Sequence, residues 1–273
     1  MERAQVNGVE LEYEIRGSGE PVLLIDMIVA DCFVPLFSEP ALADRYQFIR
    51  YHKRGWVGST HTLPPVSIAD HAEDAAALLE HLGFGLTHVV GQSSGGAIAL
   101  QLALDRPEMV HTLVLLEPTI LSVPSAHILL QKAGPAFDAY AAGDHETALS
   151  IFMSVVTLLD WNMCKTVLDA RIPGAVAQVI KDADTFFGIE VPSLTEWAFG
   201  AEQAAAINQP VLSVRGTETD PLWVEVAALL RSQLPNVEDC EIEGVGHLLH
   251  IQRPEPVAQA TTRFLGDHAI SAG

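Results

Sequence analysis

Apolar and polar side chains alternate from Val9 to Arg16 (Val-Glu-Leu-Glu-Tyr-Glu-Ile-Arg), the two-residue period of a strand with one buried face. A turn at Gly17-Ser18-Gly19-Glu20 follows. The run from Pro21 to Ile25 is continuously apolar, as in a strand covered on both faces. Tyr46 to Tyr51 reads as another strand. Ser67 then opens a helix, because its hydroxyl can cap free N–H groups with Asp70 three positions on. Ile68, Ala72, Ala75, Ala76, Leu78, Leu79 and Leu82 form its apolar side, and Gly83 and Gly85 end it. A strand at Thr87 to Val90, a small-residue helix from about Ser94 to Asp105 and a strand at Val110 to Leu116 continue the alternation. Strands alternating with helices predict a mostly parallel sheet.

The rhythm breaks from about Thr119 to Asn208, where helical periodicity runs without a convincing strand. It resumes at Pro210 to Arg215, followed by a helix at about Leu222 to Leu234, a strand at Glu238 to Ile242 and a helix from Pro254. The pattern predicts an α/β core of residues 1–118 and 209–273, with residues 119–208 inserted as a helical cap. A chain of 273 residues, 49% apolar, can bury such a core. No run of eighteen apolar residues is present to span a membrane, and charges interrupt the first positions, unlike a secretory signal. Cys32, Cys164 and Cys240 are few, distant and without metal spacing, so reduced thiols and a cytoplasmic location are the expectation. The formal net charge of −20 argues against nucleic acid or an anionic membrane as partner. A homodimer is compatible with the sequence but not specified by it.

Gly91-Gln92-Ser93-Ser94-Gly95-Gly96 lies between a predicted strand and a predicted helix. This is G-x-S-x-G in the context its chemistry needs: a sharp turn lifts the serine above the sheet edge, and the next helix aims its N-terminus at developing negative charge. Glycine spacing favours Ser93 over Ser94 as nucleophile, and the N–H of Ser94 becomes an oxyanion donor. Serine needs a base. Among eleven histidines, His247 in Gly244-Val-Gly-His follows the last strand, where a base must reach back over the sheet edge. His250, in Leu-Leu-His-Ile, is expected to pack or face solvent.

A carboxylate must orient that imidazole. Glu117 ends the Val110 to Leu116 strand, and Asp220 follows the Pro210 to Arg215 strand. Both sit at carboxyl ends of strands, and both satisfy the order Ser, acid, His. From these residues alone the choice stays open, with Glu218 a distant third.

Ser93, His247 and the sheet rhythm resemble the α/β-hydrolase superfamily across essentially the whole chain. Leu24-Ile25-Asp26-Met27, the Ser-Ser-Gly elbow and Glu117-Pro118-Thr119 are similar to the fungal zearalenone lactonases. Those enzymes place an aspartate where most relatives have His, and their catalytic acid is the glutamate after the next strand. The resemblance implies Glu117 as acid, an oxyanion hole from the N–H groups of Met27 and Ser94, and a macrolactone substrate. It departs at Met27, where the lactonases have glycine.

Asp26 is a candidate for hydrogen-bonding the Met27 loop or a substrate hydroxyl, but the favoured reading is a carboxylate that fixes its own loop. Ile28, beside Met27, is expected on the substrate side. Phe186, Phe187 and Trp197 in the cap suggest a pocket for a small apolar or aromatic ester or lactone, against the ordinary alternative of helix packing. No metal or organic cofactor is called for. The reading is a serine-dependent carboxylic ester or lactone hydrolase, an esterase or lactonase. A small-molecule receptor, or a lyase or oxygenase using the same base, stands as the alternative on this fold.

Overall fold

The computed structural model describes residues 1–270. Its eight strands are β1 (Glu2–Val6), β2 (Val9–Gly17), β3 (Glu20–Ile25), β4 (Tyr46–Tyr51), β5 (Thr87–Gln92), β6 (Val110–Leu116), β7 (Val211–Gly216) and β8 (Val237–Ile242). They form one sheet in the order β1-β2-β4-β3-β5-β6-β7-β8. β1, β2 and β4 pair antiparallel, and every pairing from β4 through β8 is parallel. This is the mostly parallel, helix-flanked sheet that the alternation of strands and helices predicts.

β1 is an addition to the sequence reading. Its five residues bury only Ala4 and Val6, too few for a clear period. The signal lay in the turn: Asn7 and Gly8 both take positive φ, the Asn-Gly hairpin that joins β1 to β2. The short helices Val34–Phe37 and Pro40–Ala43 were likewise below the length at which periodicity shows.

The central strands are sealed on both faces, with Leu23, Ile25, Val89 and Leu113 to Leu116 fully buried. Ile68–His81 packs against the sheet and starts with the expected reciprocal bonds of Ser67 and Asp70. Between β6 and β7 the chain is helical, from Ala126–Ala141 through Ala201–Ala206, with a π-helical turn at Phe186–Glu190. Among the described residues no single helix is long and apolar enough to cross a membrane.

Parallel pairing brings the carboxyl ends of β3, β5, β6, β7 and β8 to one edge. That edge carries, in strand order, Asp26-Met27, Ser93, Glu117, the 217–220 loop and His247. Glu117 and His247, 130 residues apart in sequence, meet there because each follows its own strand.

Candidate active site

Ser93 sits between β5 and the helix Ser94–Asp105 with φ 54° and ψ −119°. A side chain in this region is strained, and the surroundings hold it there. A Cβ at Gly95 would run into the carbonyl of Ile25, and one at Gly96 into the Pro118 ring. The elbow can therefore pack against β3 and the loop after β6 only with glycines at those positions. The Ser93 N–H donates to the Leu116 carbonyl at 3.1 Å, and the Thr119 N–H donates to the Ser93 carbonyl at 2.9 Å.

His247 Nδ1 lies 2.7 Å from Glu117 Oε2. Both side chains are buried. Glu117 is itself held by the Gly216 N–H at 2.9 Å and the Thr219 hydroxyl at 3.0 Å. Its backbone has φ 43°, so the turn after β6 aims the carboxylate sideways along the sheet edge. Asp220, the other candidate, is the N-cap of the helix Pro221–Gln233: it accepts from the Leu222 N–H at 3.1 Å and from Lys132 at 3.3 Å. Its expected alternative part as acid partner is thereby corrected, since its carboxylate is committed to a helix terminus. Glu218 makes no bond to His247.

The Ser93 hydroxyl hydrogen-bonds Thr119 Oγ1 at 3.1 Å rather than His247. On the other side, Gln92 Nε2 lies 3.4 Å from His247 Nε2 and donates to the His247 carbonyl at 3.0 Å. The Trp223 ring stacks on the imidazole, with centroids 3.8 Å apart and planes 22° apart. His250 is sealed against Phe33, and burial, with a smaller push from His247, lowers its pKa to about 3. Its neutral ring leaves His247 as the histidine at the sheet edge.

A cavity opens over Ser93 and His247. Met27, Ile28, Ser94 and Phe186 line it. Phe187 does not: it stacks on Tyr140 within the cap, centroids 4.9 Å apart. Trp197 does not either, because it stacks on Phe199 and its indole N–H donates to Gln101 at 2.8 Å. Phe187 packs among Phe137, Tyr140 and Phe152 inside the 119–208 segment, whereas Trp197 docks that segment onto the helix Ser94–Asp105 through Gln101. Thr119, Trp223 and Glu190 are on the wall and were not anticipated. Thr119 stood in the Glu-Pro-Thr string, and Glu190 was an acid in an apolar run, so both left a signal. Among the described residues no group of three or more His, Cys, Asp or Glu could hold a metal ion.

Of the two readings of Asp26, the substrate-binding one is corrected and the loop-fixing one is what the structure shows. Asp26 is 5% exposed and faces away from this cavity, accepting from the Asp31 N–H at 2.8 Å and the Cys32 thiol at 3.1 Å. It fixes the 26–32 loop that carries Met27. Burial, then the Asp31 charge, raise its pKa from 3.8 to about 6. The Cys32 and Asp31 hydrogen bonds and the nearby His52 pull the other way. Burial disfavours a charged His52, yet its bonds to Asp31 and Glu12 outweigh that and raise its pKa.

An acid with a raised pKa favours the fold while protonated, so the Asp26 contribution is lost as pH rises from 3.8 through about 6. Asp26→Asn removes that titration. The stability of the variant relative to wild type is expected to improve between pH 4 and pH 7 by on the order of 2–3 kcal/mol. Thermal melts across that range measure it. A difference independent of pH would show that Asp26 does not titrate there.

Comparison with known proteins agrees with this fold. A family model for the alpha/beta hydrolase fold matches residues 32–254. The Azorhizobium caulinodans protein named "Putative carbamate hydrolase RutD" is 35% identical over 98% of this chain and 99% of its own length. A soluble epoxide hydrolase of a Corynebacterium species is 24% identical, with 96% of each chain covered. Among solved structures, the enol-lactonase from Burkholderia xenovorans LB400 superposes with a TM-score of 0.78 at 20% identity, over 97% of this chain and all of that one. At that identity the superposition speaks for the fold alone.

Proposed function

Because this chain belongs to the α/β-hydrolase fold family, we propose that it is a serine hydrolase acting on a small apolar or aromatic carboxylic ester or lactone. The observation that carries the reading is the 2.7 Å contact of Glu117 with His247 behind a strained, cavity-facing Ser93. Residues 119–208 serve as the cap over a core formed by the rest of the chain.

Ser93 Oγ turns from Thr119 to His247, and Nε2 takes its proton as Oγ attacks the carbonyl carbon. Glu117 keeps the Nδ1 proton in place and stabilises the imidazolium. The N–H groups of Ser94 and Met27 hold the oxyanion; loss of one such donor costs about 3–4 kcal/mol of barrier. The imidazolium then protonates the leaving alkoxide, which in a lactone remains tethered through the acyl group. Water, deprotonated by His247, attacks the acyl-enzyme and releases the acid and Ser93.

The apolar wall of Phe152, Phe186, Val156 and Leu194 supports an apolar acyl or ring portion, and the likeness to zearalenone lactonases extends the candidates to macrolactones. A carbamate carbonyl would react by the same steps, and the relative named for carbamates puts it in the substrate panel. The epoxide hydrolase relative is a weaker guide, because Ser93 stands at the elbow where epoxide hydrolases carry an aspartate nucleophile.

A fluorophosphonate is expected to form one adduct, mapped by mass spectrometry to Ser93. An unlabelled Ser93 in folded protein would sink the reading and favour a non-hydrolytic lyase or oxygenase using the same base. A labelled protein with no turnover of any activated ester would favour a small-molecule receptor.

A further inference from the structure

The cavity wall carries one acidic side chain, Glu190, and it is fully buried. It belongs to the π-helical turn Phe186–Glu190 of the cap, a distortion that recurs at functional positions. Its Oε1 accepts the Ser94 hydroxyl at 2.7 Å, and its Oε2 pairs with Lys53, which is 2% exposed. An ion pair removed from water is poor value as a stabiliser: apolar side chains of similar size serve the fold as well or better. The cap has other ties to the core that carry no charge, such as the Thr185 hydroxyl on the Gly55 carbonyl at 2.6 Å. Stability alone therefore does not account for a carboxylate facing an apolar cavity.

The carboxylate offers about four acceptor positions, and Ser94 and Lys53 use one on each oxygen. The other acids at this sheet edge do not line the cavity: Glu117 is held on His247, Gly216 and Thr219, Asp220 on Leu222 and Lys132, and Asp26 on Asp31 and Cys32. Ser94 connects Glu190 to the reacting atoms. Its backbone N–H is the oxyanion donor and its hydroxyl binds Glu190, so successive contacts of about 3 Å put the carboxylate a few bonds from the scissile carbonyl.

The geometry points to Glu190, charged and oriented by Lys53, as a specificity-determining residue that accepts a hydrogen bond from a hydroxyl or N–H near the scissile carbonyl. The substrate is then an apolar acyl compound bearing one such donor. This rests on the serine-hydrolase reading and narrows its substrate class.

Three sets of p-nitrophenyl esters test it on the unaltered protein: octanoate, 2- and 3-hydroxyoctanoate, and the matching methoxyoctanoates, which keep the oxygen but lack the donor. A hydrogen bond to a charged group is expected to raise kcat/KM for one hydroxy ester about tenfold or more over both other forms. Replacing the pair together, Lys53→Met with Glu190→Met, should bring that ratio close to one. Glu190→Gln, which keeps an acceptor for Ser94, should lower it if the double variant does not fold. Turnover without a hydroxyl preference, or a preference that survives loss of Glu190, overturns the inference while leaving the hydrolase reading intact. No turnover together with an unlabelled Ser93 would instead defeat the hydrolase reading.

Discussion

Ser93→Ala is expected to abolish ester turnover, lowering kcat by roughly 10⁴- to 10⁶-fold. The remaining rate would come from the oxyanion donors and substrate binding, which act without the nucleophile. The fold should survive, because the substitution removes only a hydroxyl bonded to Thr119 at 3.1 Å. Alanine keeps its Cβ at φ 54°, so the backbone strain stays. Ser93→Gly releases it and should melt above Ser93→Ala, since such a conformation costs on the order of 1–3 kcal/mol. Steady-state kinetics on an activated ester and thermal melts measure both effects. Wild-type turnover by Ser93→Ala would remove Ser93 from the chemistry.

Glu117→Gln is the second large effect, an expected loss of roughly 10³- to 10⁴-fold in kcat. The direction follows from the fixed donors around the side chain. The Gly216 N–H, 2.9 Å from Oε1, cannot turn away, so it demands the amide oxygen. The amide nitrogen then falls where Oε2 now meets His247 Nδ1 and the Thr219 hydroxyl. Thr219 can rotate to accept, but Nδ1 must also accept. His247 is thereby held in the tautomer with its proton on Nε2, which cannot take the proton of Ser93.

Asp220→Asn makes the contrast. Asparagine is also a good N-cap, so the helix Pro221–Gln233 should lose no more than about 1 kcal/mol and kcat should stay within a few-fold. Kinetics of the two variants side by side decide the acid. A crippled Asp220→Asn with an active Glu117→Gln would reverse the assignment.

Ser93 and His247 were legible in the chain because each stands in a string tied to a strand end: G-x-S-x-G after β5, and Gly-Val-Gly-His after β8. The acid was not, because two carboxylates followed two parallel strands at suitable positions. Their neighbours separate them. The positive φ of Glu117 swings its side chain along the edge, while Asp220 turns back to cap its own helix. Asp26 was legible as a loop carboxylate but not as one buried beside Cys32 and Asp31.

The helical segment between β6 and β7 was the least readable region. Helical periodicity gives its elements but not their facing, so Phe186 on the cavity and Phe187 in the cap core look alike in sequence. Glu190 shows the same limit from the other side: an acid among apolar residues signals a buried charge, but only folding brings Lys53 and Ser94, 137 and 96 residues away, to its two oxygens.

The sequence by itself determined the alternating sheet, the helical segment between β6 and β7, and the positions of Ser93 and His247 at strand ends. Those depend on local periodicity and on short strings with backbone requirements of their own. The tertiary structure decided which acid meets His247, which aromatics reach the cavity, and that a buried ion pair stands beside Ser94. Each of these depends on direction across a sheet edge or between two layers, set by packing and fixed hydrogen-bond donors rather than by spacing along the chain.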